Sequence, residues 1–226
     1  MRTAIQVIQV SKSYRHYRVL QELSLEVAAG TCYALIGPNG AGKTSLLRIL
    51  ATLQHPTSGQ FQIMGHDGEK EKDKIRELLL LVAHGSYLYD ELNAEENIRF
   101  SLGLRGIQPT DREIKSALDR VGIGAFKDLK TRYFSMGMKR RLSIAKAILI
   151  RPNVLLLDEP YSSLDEGGMK IVNNYIREIT QQGAAVLLTT HNRIKSAEVA
   201  DRAGVLHRGG IKEIAMKDLT APDEIF

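Results

Sequence analysis

A glycine-rich segment near the start of the chain has the residue types and spacing of a phosphate-binding loop. It fits the pattern G-x-x-x-x-G-K-[ST], in which backbone N–H groups surround phosphate oxygens. Lys43 brings a fixed positive charge to the β- and γ-phosphates, and the Thr44 hydroxyl can ligate Mg²⁺. The segment therefore predicts binding of a nucleoside triphosphate together with Mg²⁺. The residues expected to contact the nucleotide here are Gly37, Pro38, Asn39, Gly40, Ala41, Gly42, Lys43, Thr44 and Ser45.

Two acidic residues end an apolar run later in the chain. Asp158 and Glu159 follow residues 154–157, which are typical of a buried parallel strand. Because ligands bind at the carboxyl ends of such strands, Asp158 is expected to hold Mg²⁺, through water. Glu159 is a candidate general base that polarises the attacking water. The alternative is an exposed acidic turn, which the phosphate loop upstream makes the less favoured interpretation.

Strand-like and helix-like segments alternate around these residues. An apolar strand at residues 31–36 precedes the loop, and a helix runs from Lys43 to about Leu53. Later, a helix at residues 167–181 leads to a second buried strand at residues 184–189. This alternation predicts an α/β fold with a mostly parallel sheet and right-handed crossovers.

Other segments depart from this alternation. Residues 3–10 and 23–27 alternate as antiparallel strands do, which predicts an N-terminal β subdomain. A turn at residues 56–59 and a short strand at 61–64 follow, and residues 203–210 predict a C-terminal hairpin. Residues 90–150 are helical in pattern and are interpreted as an inserted subdomain, with Thr110 as a helix N-cap. The helices predicted in the insert cover residues 91–103, 111–121 and 138–150.

Composition limits the classes of protein. The 226 residues carry a formal net charge of +5 and one cysteine, Cys32, which is expected to be buried in the core. No apolar run reaches the ~18 residues of a membrane span, and no signal-peptide pattern is seen, which predicts a cytosolic protein. The densest basic run, residues 138–141, is interpreted as a solvated helix face, so no nucleic-acid binding is expected.

Several motifs, in order along essentially the whole chain, resemble those of the ATP-binding cassette (ABC) family. The resemblance implies that residues 37–44 are Walker A and residues 155–158 Walker B, with Glu159 as the catalytic glutamate. It also implies a nucleotide-contacting D-loop at residues 163–165. The remaining matched residues are Asp165 in the D-loop, His191 as the switch histidine that contacts the γ-phosphate, and Tyr14 as the aromatic that stacks on adenine, with Tyr17 as its rival.

The family's signature motif, Leu-Ser-Gly-Gly-Gln, is matched with two changes. Ser135 and Gly137 are kept, whereas Met136 and Met138 replace the first glycine and the glutamine. Ser135 supplies a hydroxyl, Gly137 an uncrowded N–H, and the following helix an N-terminus for a γ-phosphate. In the family this motif faces Walker A of a second subunit. The resemblance therefore implies two composite sites in a homodimer or in a pair of ABC ATPase subunits.

His84 stands where the family's Q-loop has glutamine, a residue that meets Mg²⁺ and water and couples to the membrane subunit. A neutral imidazole can also donate or accept a hydrogen bond, so His84 is predicted at the metal and the nucleotide. The sequence around His84 resembles the haem-exporter ATPase of cytochrome c maturation and related exporter ATPases.

Together, residues 1–226 are expected to form a single ABC ATPase domain with a helical insert at about 90–150. The predicted function is hydrolysis of ATP with Mg²⁺ at the cytoplasmic face of a membrane, driving a membrane-spanning transporter subunit in export. Two alternatives stay open. One is a soluble ABC ATPase that acts as an assembly scaffold, as in iron–sulfur cluster biogenesis, and the other is an ABC protein that acts on nucleic acid or ribosomes.

Overall fold

The structure, a computed structural model, describes residues 2–83 and 87–220 in two units. The first unit runs from the N-terminus to Leu81 and includes Pro152–Glu159 and the residues from Ile176 onward. The second unit consists of Val82–Arg151 and Pro160–Tyr175. The described strands are β1 Thr3–Tyr14, β2 Tyr17–Ala28, β3 Cys32–Ile36, β4 Ser58–Ile63, β5 His66–Asp67, β6 Leu79–Val82, β7 Val154–Asp158, β8 Ala185–Thr190, β9 Arg202–His207 and β10 Gly210–Ile214. The described helices are α1 Lys43–Leu50, α2 Lys72–Leu78, α3 Ala94–Gly103, α4 Asp111–Arg120, α5 Met136–Ile150, α6 Glu166–Gln181 and α7 Arg193–Ala197.

The N-terminal strands form an antiparallel sheet in the order β2-β1-β4-β5. Ile5 and Val7 are buried because alternate side chains of a strand lie on one face of its sheet. Val10 breaks that alternation, and a register shift between Val7 and Val10 returns it to the buried face. The predicted antiparallel N-terminal sheet is therefore confirmed.

The second sheet has the order β10-β9-β3-β8-β7-β6. Strands β9, β3, β8 and β7 are parallel, and β10 turns back antiparallel to β9, as the predicted C-terminal hairpin requires. Every residue of β3, β7 and β8 is buried, which explains their continuous apolar runs. At one edge Ile36 lies opposite Thr190, and Asp158 lies opposite Thr189. The residues that follow these strand ends are thereby brought to one place.

Cys32 begins β3 and is buried, as predicted. Burial raises the pKa of the Cys32 thiol, with a further contribution from the nearby carboxylate of Asp201. The same carboxylate accepts a hydrogen bond from the Cys32 backbone N–H at 2.8 Å. Cys32 is therefore a protonated core residue.

Within residues 2–83 and 87–220, every helix is too short or too polar to cross a membrane.

Capping residues set where the helices of the second unit begin. Asn93 forms a capping box with Glu96, so α3 starts at Ala94 and not at the predicted residue 91. Thr110 forms the equivalent box with Glu113, which confirms it as the N-cap of α4. The N-cap of α5 is a serine of the predicted signature motif, described below.

The expectation that the basic run at residues 138–141 lies on a solvated helix face is wrong. The side chains of Lys139 and Arg141 are only 16% and 18% exposed, and Arg140 is 6% exposed. Lys139 lies 2.9 Å from an Asp90 carboxylate oxygen, and Arg141 lies 2.6 Å from one of Asp165. Acceptors within the same unit, and not solvent, therefore bind these cations.

Candidate functional site

The phosphate-loop glycines adopt the backbone geometry that the motif requires. Gly40 and Gly42 have φ angles of 82° and 107°, in the left-handed region that favours glycine. A Cβ on Gly42 would lie 2.8 Å from Leu20 Cδ2, and a Cβ on Gly37 would lie 2.6 Å from the Leu206 carbonyl oxygen. Side chains at these positions would therefore distort the loop. Gly42 is also the N-cap of α1, so the positive end of that helix lies in the loop.

Lys43 is held inside the loop. Its ammonium donates to the Gly37 carbonyl at 2.6 Å and to the Pro38 carbonyl at 3.2 Å, and the residue is almost fully buried. Lys43 Nζ also lies 3.6 Å from Glu159 Oε1, an ion pair that is longer than a hydrogen bond. A fixed positive charge thus lies between the loop and the end of β7.

Asp158 is a buried carboxylate between two threonine hydroxyls. Thr44 Oγ1 donates to Asp158 Oδ2 at 2.8 Å, and Thr189 Oγ1 donates to Asp158 Oδ1 at 2.7 Å. Because the Thr44 hydroxyl gives its hydrogen to Asp158, its lone pairs stay available to a cation. Hydroxyl and carboxylate oxygens are the ligands that Mg²⁺ prefers, so this donor set fits the predicted metal.

Glu159 directly follows β7 in a strained conformation and faces His191. Its φ of 49° is in the left-handed region, and its N–H donates to the Thr189 carbonyl at 2.9 Å. Glu159 Oε2 lies 2.9 Å from His191 Nδ1 and accepts the His191 N–H at 3.3 Å. Glu159 Oε1 is buried and has no hydrogen-bond partner within residues 2–83 and 87–220. A buried carboxylate oxygen with an unused acceptor is suited to receive a proton.

Two tyrosines are candidates for stacking on adenine, and their environments differ. The Tyr14 hydroxyl donates to Gln54 Oε1 at 2.6 Å and lies 3.4 Å from Ser45 Oγ, directly after the phosphate loop. Tyr14 is 42% exposed, and the Lys12 ammonium lies over its ring, 5.1 Å from the ring centroid. Tyr17 lies opposite Tyr14 in the β1–β2 hairpin and is 79% exposed. The fixed ring beside Ser45 favours Tyr14.

We expect Tyr14→Ala to weaken ATP binding about tenfold, because stacking of a base on an aromatic side chain is worth ~1–3 kcal/mol. Tyr14→Phe keeps the ring and should stay within about threefold of the unmodified protein. Titration with a fluorescent ATP analogue measures both affinities. Tyr17→Ala is the matched control, and a larger loss in that variant than in Tyr14→Ala would assign the stacking role to Tyr17.

The signature residues lie in the second unit, at the start of α5. Ser135 is the N-cap of α5, and its hydroxyl accepts the Met138 N–H at 3.2 Å. A Cβ on Gly137 would lie 2.6 Å from the Ser163 carbonyl oxygen, so only glycine allows this approach. Met136, which replaces the family's first glycine, is half exposed.

Asp165, predicted as a nucleotide contact, holds together two helices of the second unit. Its Oδ1 accepts the Gly168 N–H at 2.8 Å and an N–H of Arg141 at 2.6 Å. The hydrogen bond from Gly168 is the main reason that the pKa of the Asp165 carboxyl lies below its usual range, and the bond from Arg141 contributes next. Asp165 therefore links α5 to the start of α6.

The predicted site residues fall into three groups. Residues 37–45, Asp158, Glu159, His191 and Tyr14 lie in the first unit. Ser135, Gly137 and Asp165 lie in the second unit. His84 lies outside the described residues.

Two supporting side chains were not found from the sequence. Thr189 fixes the second oxygen of Asp158, and Gln54 holds the Tyr14 hydroxyl. The threonines that end the otherwise apolar β8 are the signal that could have identified Thr189. Gln54 follows α1 and has no comparable signal.

A parallel sheet with a glycine-rich loop, a buried lysine and an acidic pair at its edge is the architecture of P-loop nucleotide-binding proteins. The family model described as ABC transporter matches residues 20–162, more than half of the chain. The chain belongs to the ABC transporter family and carries its ATP-binding domain, which confirms the predicted resemblance.

Individual proteins agree with this assignment. The chain is 34% identical over 222 residues to the Fe(3+) ions import ATP-binding protein FbpC of Pasteurella multocida. This match covers 96% of this chain and 63% of that protein. It is 37% identical over 183 residues to the cytochrome c biogenesis ATP-binding export protein CcmA of Pseudomonas putida, covering 80% of this chain and 86% of that protein. A solved structure described as an ATP binding subunit of an ABC transporter matches with a TM-score of 0.87 at 26% identity, covering 95% of this chain and 91% of that chain. The chain thus spans less than two thirds of the iron-import relative, and these relatives' names include both import and export.

Proposed function

We propose that this chain hydrolyses ATP and that hydrolysis drives a membrane-spanning transporter subunit. The observation that carries the proposal is the environment of Glu159. One carboxylate oxygen contacts His191 at 2.9 Å, and the other is buried 3.6 Å from Lys43 Nζ at the phosphate loop. A base beside a triphosphate-binding loop favours hydrolysis over simple binding.

The phosphate loop binds the triphosphate in this proposal. Backbone N–H groups of the loop and the N-terminus of α1 attract phosphate oxygens. Lys43 adds a full positive charge, which carbonyls of the loop hold in a buried position. In such a water-poor site the charge acts more strongly than at an exposed surface.

Thr44 and Asp158 would hold Mg²⁺, and His84 is proposed as a third contact. Bound Mg²⁺ would neutralise negative charge on the β- and γ-phosphate oxygens. Thr189 keeps the Asp158 carboxylate in place through its 2.7 Å hydrogen bond. A carboxylate fixed in this way loses little conformational entropy when a metal binds.

Glu159 takes a proton from the attacking water in the proposed reaction. The left-handed backbone at Glu159 ends the extended conformation of β7 directly before this residue. The His191 backbone N–H donates to Oε2, and His191 Nδ1 lies 2.9 Å from the same oxygen, which fixes the carboxylate orientation and leaves Oε1 to accept the proton. His191 is also proposed to contact the γ-phosphate.

Each chain supplies half of a composite site in this proposal. Ser135 and Gly137, with Asp165, would contact the nucleotide bound by a second subunit, either an identical chain or a paired ABC ATPase. The N-terminus of α5 suits a phosphate because it presents backbone N–H donors, and the Ser135 hydroxyl adds an O–H donor beside them. ATP then joins two subunits, and hydrolysis releases them.

An export role at the cytoplasmic face of a membrane is the direction we favour. Its support is the 37% identity to CcmA, whose name states export and of which the chain covers 86%. The similarity to an import protein is lower and covers a smaller share of that protein.

Purification from detergent-solubilised membranes tests the transport proposal. We expect a membrane-spanning protein to elute with the tagged chain and to change its ATPase rate. Elution with a soluble assembly complex, with ribosomes or with nucleic acid, and with no membrane protein, would contradict it. Cargo accumulation in inverted vesicles supplied with external ATP tests the direction, and cargo loss from them would contradict export.

A further inference from the structure

Arg140 is a buried cation in the first turns of the signature helix α5. Its Nη1 donates to the Ala83 carbonyl at 2.8 Å, and its Nη2 donates to Ser162 Oγ at 3.3 Å. Ala83 follows β6, and Ser162 precedes α6, so both acceptors are far from Arg140 in sequence. One guanidinium therefore connects α5 to two separate segments of the second unit.

The bonds of Arg140 differ from those of its neighbours. Lys139 and Arg141 form ion pairs with carboxylates whose side chains are 60% and 72% exposed. The Ala83 carbonyl and the Ser162 hydroxyl are neutral acceptors from two different segments, and they orient the guanidinium. Because burial of any charged group carries a desolvation cost, a buried arginine is a weak source of stability, and its fixed orientation is the more informative feature.

A second contact joins the same helix and segment. The Ser163 carbonyl lies so close to Gly137 that a Cβ there would be at 2.6 Å, and Ser163 has a φ of 62°. Arg140, Met136 and Ser163 also line one narrow crevice with Ala83. Because this packing leaves little room, a shift of residues 162–163 would move the signature residues or clash with them.

We propose that Arg140 is a positioning residue, which holds residues 162–163 and Ala83 against α5 so that Ser135 and Gly137 keep one geometry toward a second subunit's nucleotide. The inference rests on the proposed function, because it assumes that the signature residues act in a composite site. Arg140 itself touches no nucleotide in this scheme. Its loss should therefore slow turnover and leave nucleotide binding at the phosphate loop unchanged.

Three variants test the role of Arg140. Arg140→Met keeps an unbranched apolar side chain but has no donor, Arg140→Lys keeps the charge, and Ser162→Ala removes one acceptor. We expect Arg140→Met to lower kcat about tenfold while the affinity for a fluorescent ADP analogue stays within about twofold, as for a modest misplacement of reacting groups. Arg140→Lys should recover about half of the loss on a logarithmic scale, because one donor group can satisfy one of the two acceptors.

Arg112→Met is the matched control, since Arg112 lies exposed on α4 of the same unit. An unchanged kcat in Arg140→Met, or a parallel loss of kcat, ADP affinity and melting temperature, would overturn the positioning role. If Arg140→Met does not fold, Ser162→Ala decides: a kcat lowered about threefold supports the role, and an unchanged kcat overturns it. Absence of ATPase activity in the unmodified protein, with or without its partner, would instead refute the proposed function.

Discussion

Glu159→Gln is expected to lower ATP turnover about 100-fold or more, because a positioned general base contributes ~10²–10⁴-fold to such reactions. Glutamine has nearly the shape of glutamate and can still accept a hydrogen bond from His191, but it cannot take a proton from water. The phosphate loop and the Thr44–Asp158 pair are untouched, so ATP should still bind. Phosphate release in the steady state measures turnover, and binding of a fluorescent ATP analogue measures affinity.

The same variant should accumulate as an ATP-bound dimer. If hydrolysis is what separates two subunits, blocking it leaves ATP between them, and gel filtration with ATP and Mg²⁺ should show twice the monomer mass. Glu22→Gln makes the same chemical change on the exposed β2 and should keep full activity. Turnover near that of the unmodified protein would remove Glu159 from the role of base, and a monomer in the presence of ATP would contradict the dimeric site.

The central sheet could be predicted from the sequence because its main strands are fully buried. Strands β3, β7 and β8 are buried along their whole length, so each appears in the sequence as a continuous apolar run. The segment around residue 79 is different. Helix α2 passes directly into β6 at Leu79, with no glycine or proline between them. The apolar residues 78–82 serve first a helix and then a strand, and periodicity alone cannot divide them.

The motifs indicate candidate reacting residues but do not reveal how their side chains are held. The hydroxyl of Thr189 reaches Asp158 because β7 and β8 are neighbours in register, a tertiary fact. The left-handed φ of Glu159 also follows from the surroundings, since glutamate has no preference for that conformation.

The charge of the basic run at residues 138–141 was a poor predictor of whether its side chains are exposed. Three consecutive cations on a helix predict a solvated face, yet Arg140 is buried and its acceptors come from 57 and 22 residues away. Burial of a cation needs partners from other segments, and a single sequence does not show which segments meet. Such violations of local preference are concentrated where structure serves function, as we propose for Arg140.

Replacing Lys43 by methionine is expected to weaken ATP binding about 100-fold, because charged hydrogen bonds to a phosphate are worth ~1.5–3 kcal/mol and the loop also loses its internal donor. The Lys43 ammonium bridges the Gly37 and Pro38 carbonyls, so methionine removes both the charge and the contacts that shape the loop. Lys212→Met, on the exposed β10, is the matched control and should bind ATP normally. Titration with a fluorescent ATP analogue measures each affinity, and binding by Lys43→Met within about threefold of the unmodified protein would contradict the assigned role.

The two variants together separate binding from hydrolysis. Glu159→Gln should form a dimer with ATP, whereas Lys43→Met should remain a monomer at the same ATP concentration. The double variant should behave like Lys43→Met alone, because a nucleotide that does not bind cannot join two subunits. A dimer in the double variant would mean that association does not require ATP at the phosphate loop, and the composite site would then be wrong even if Glu159 is the base.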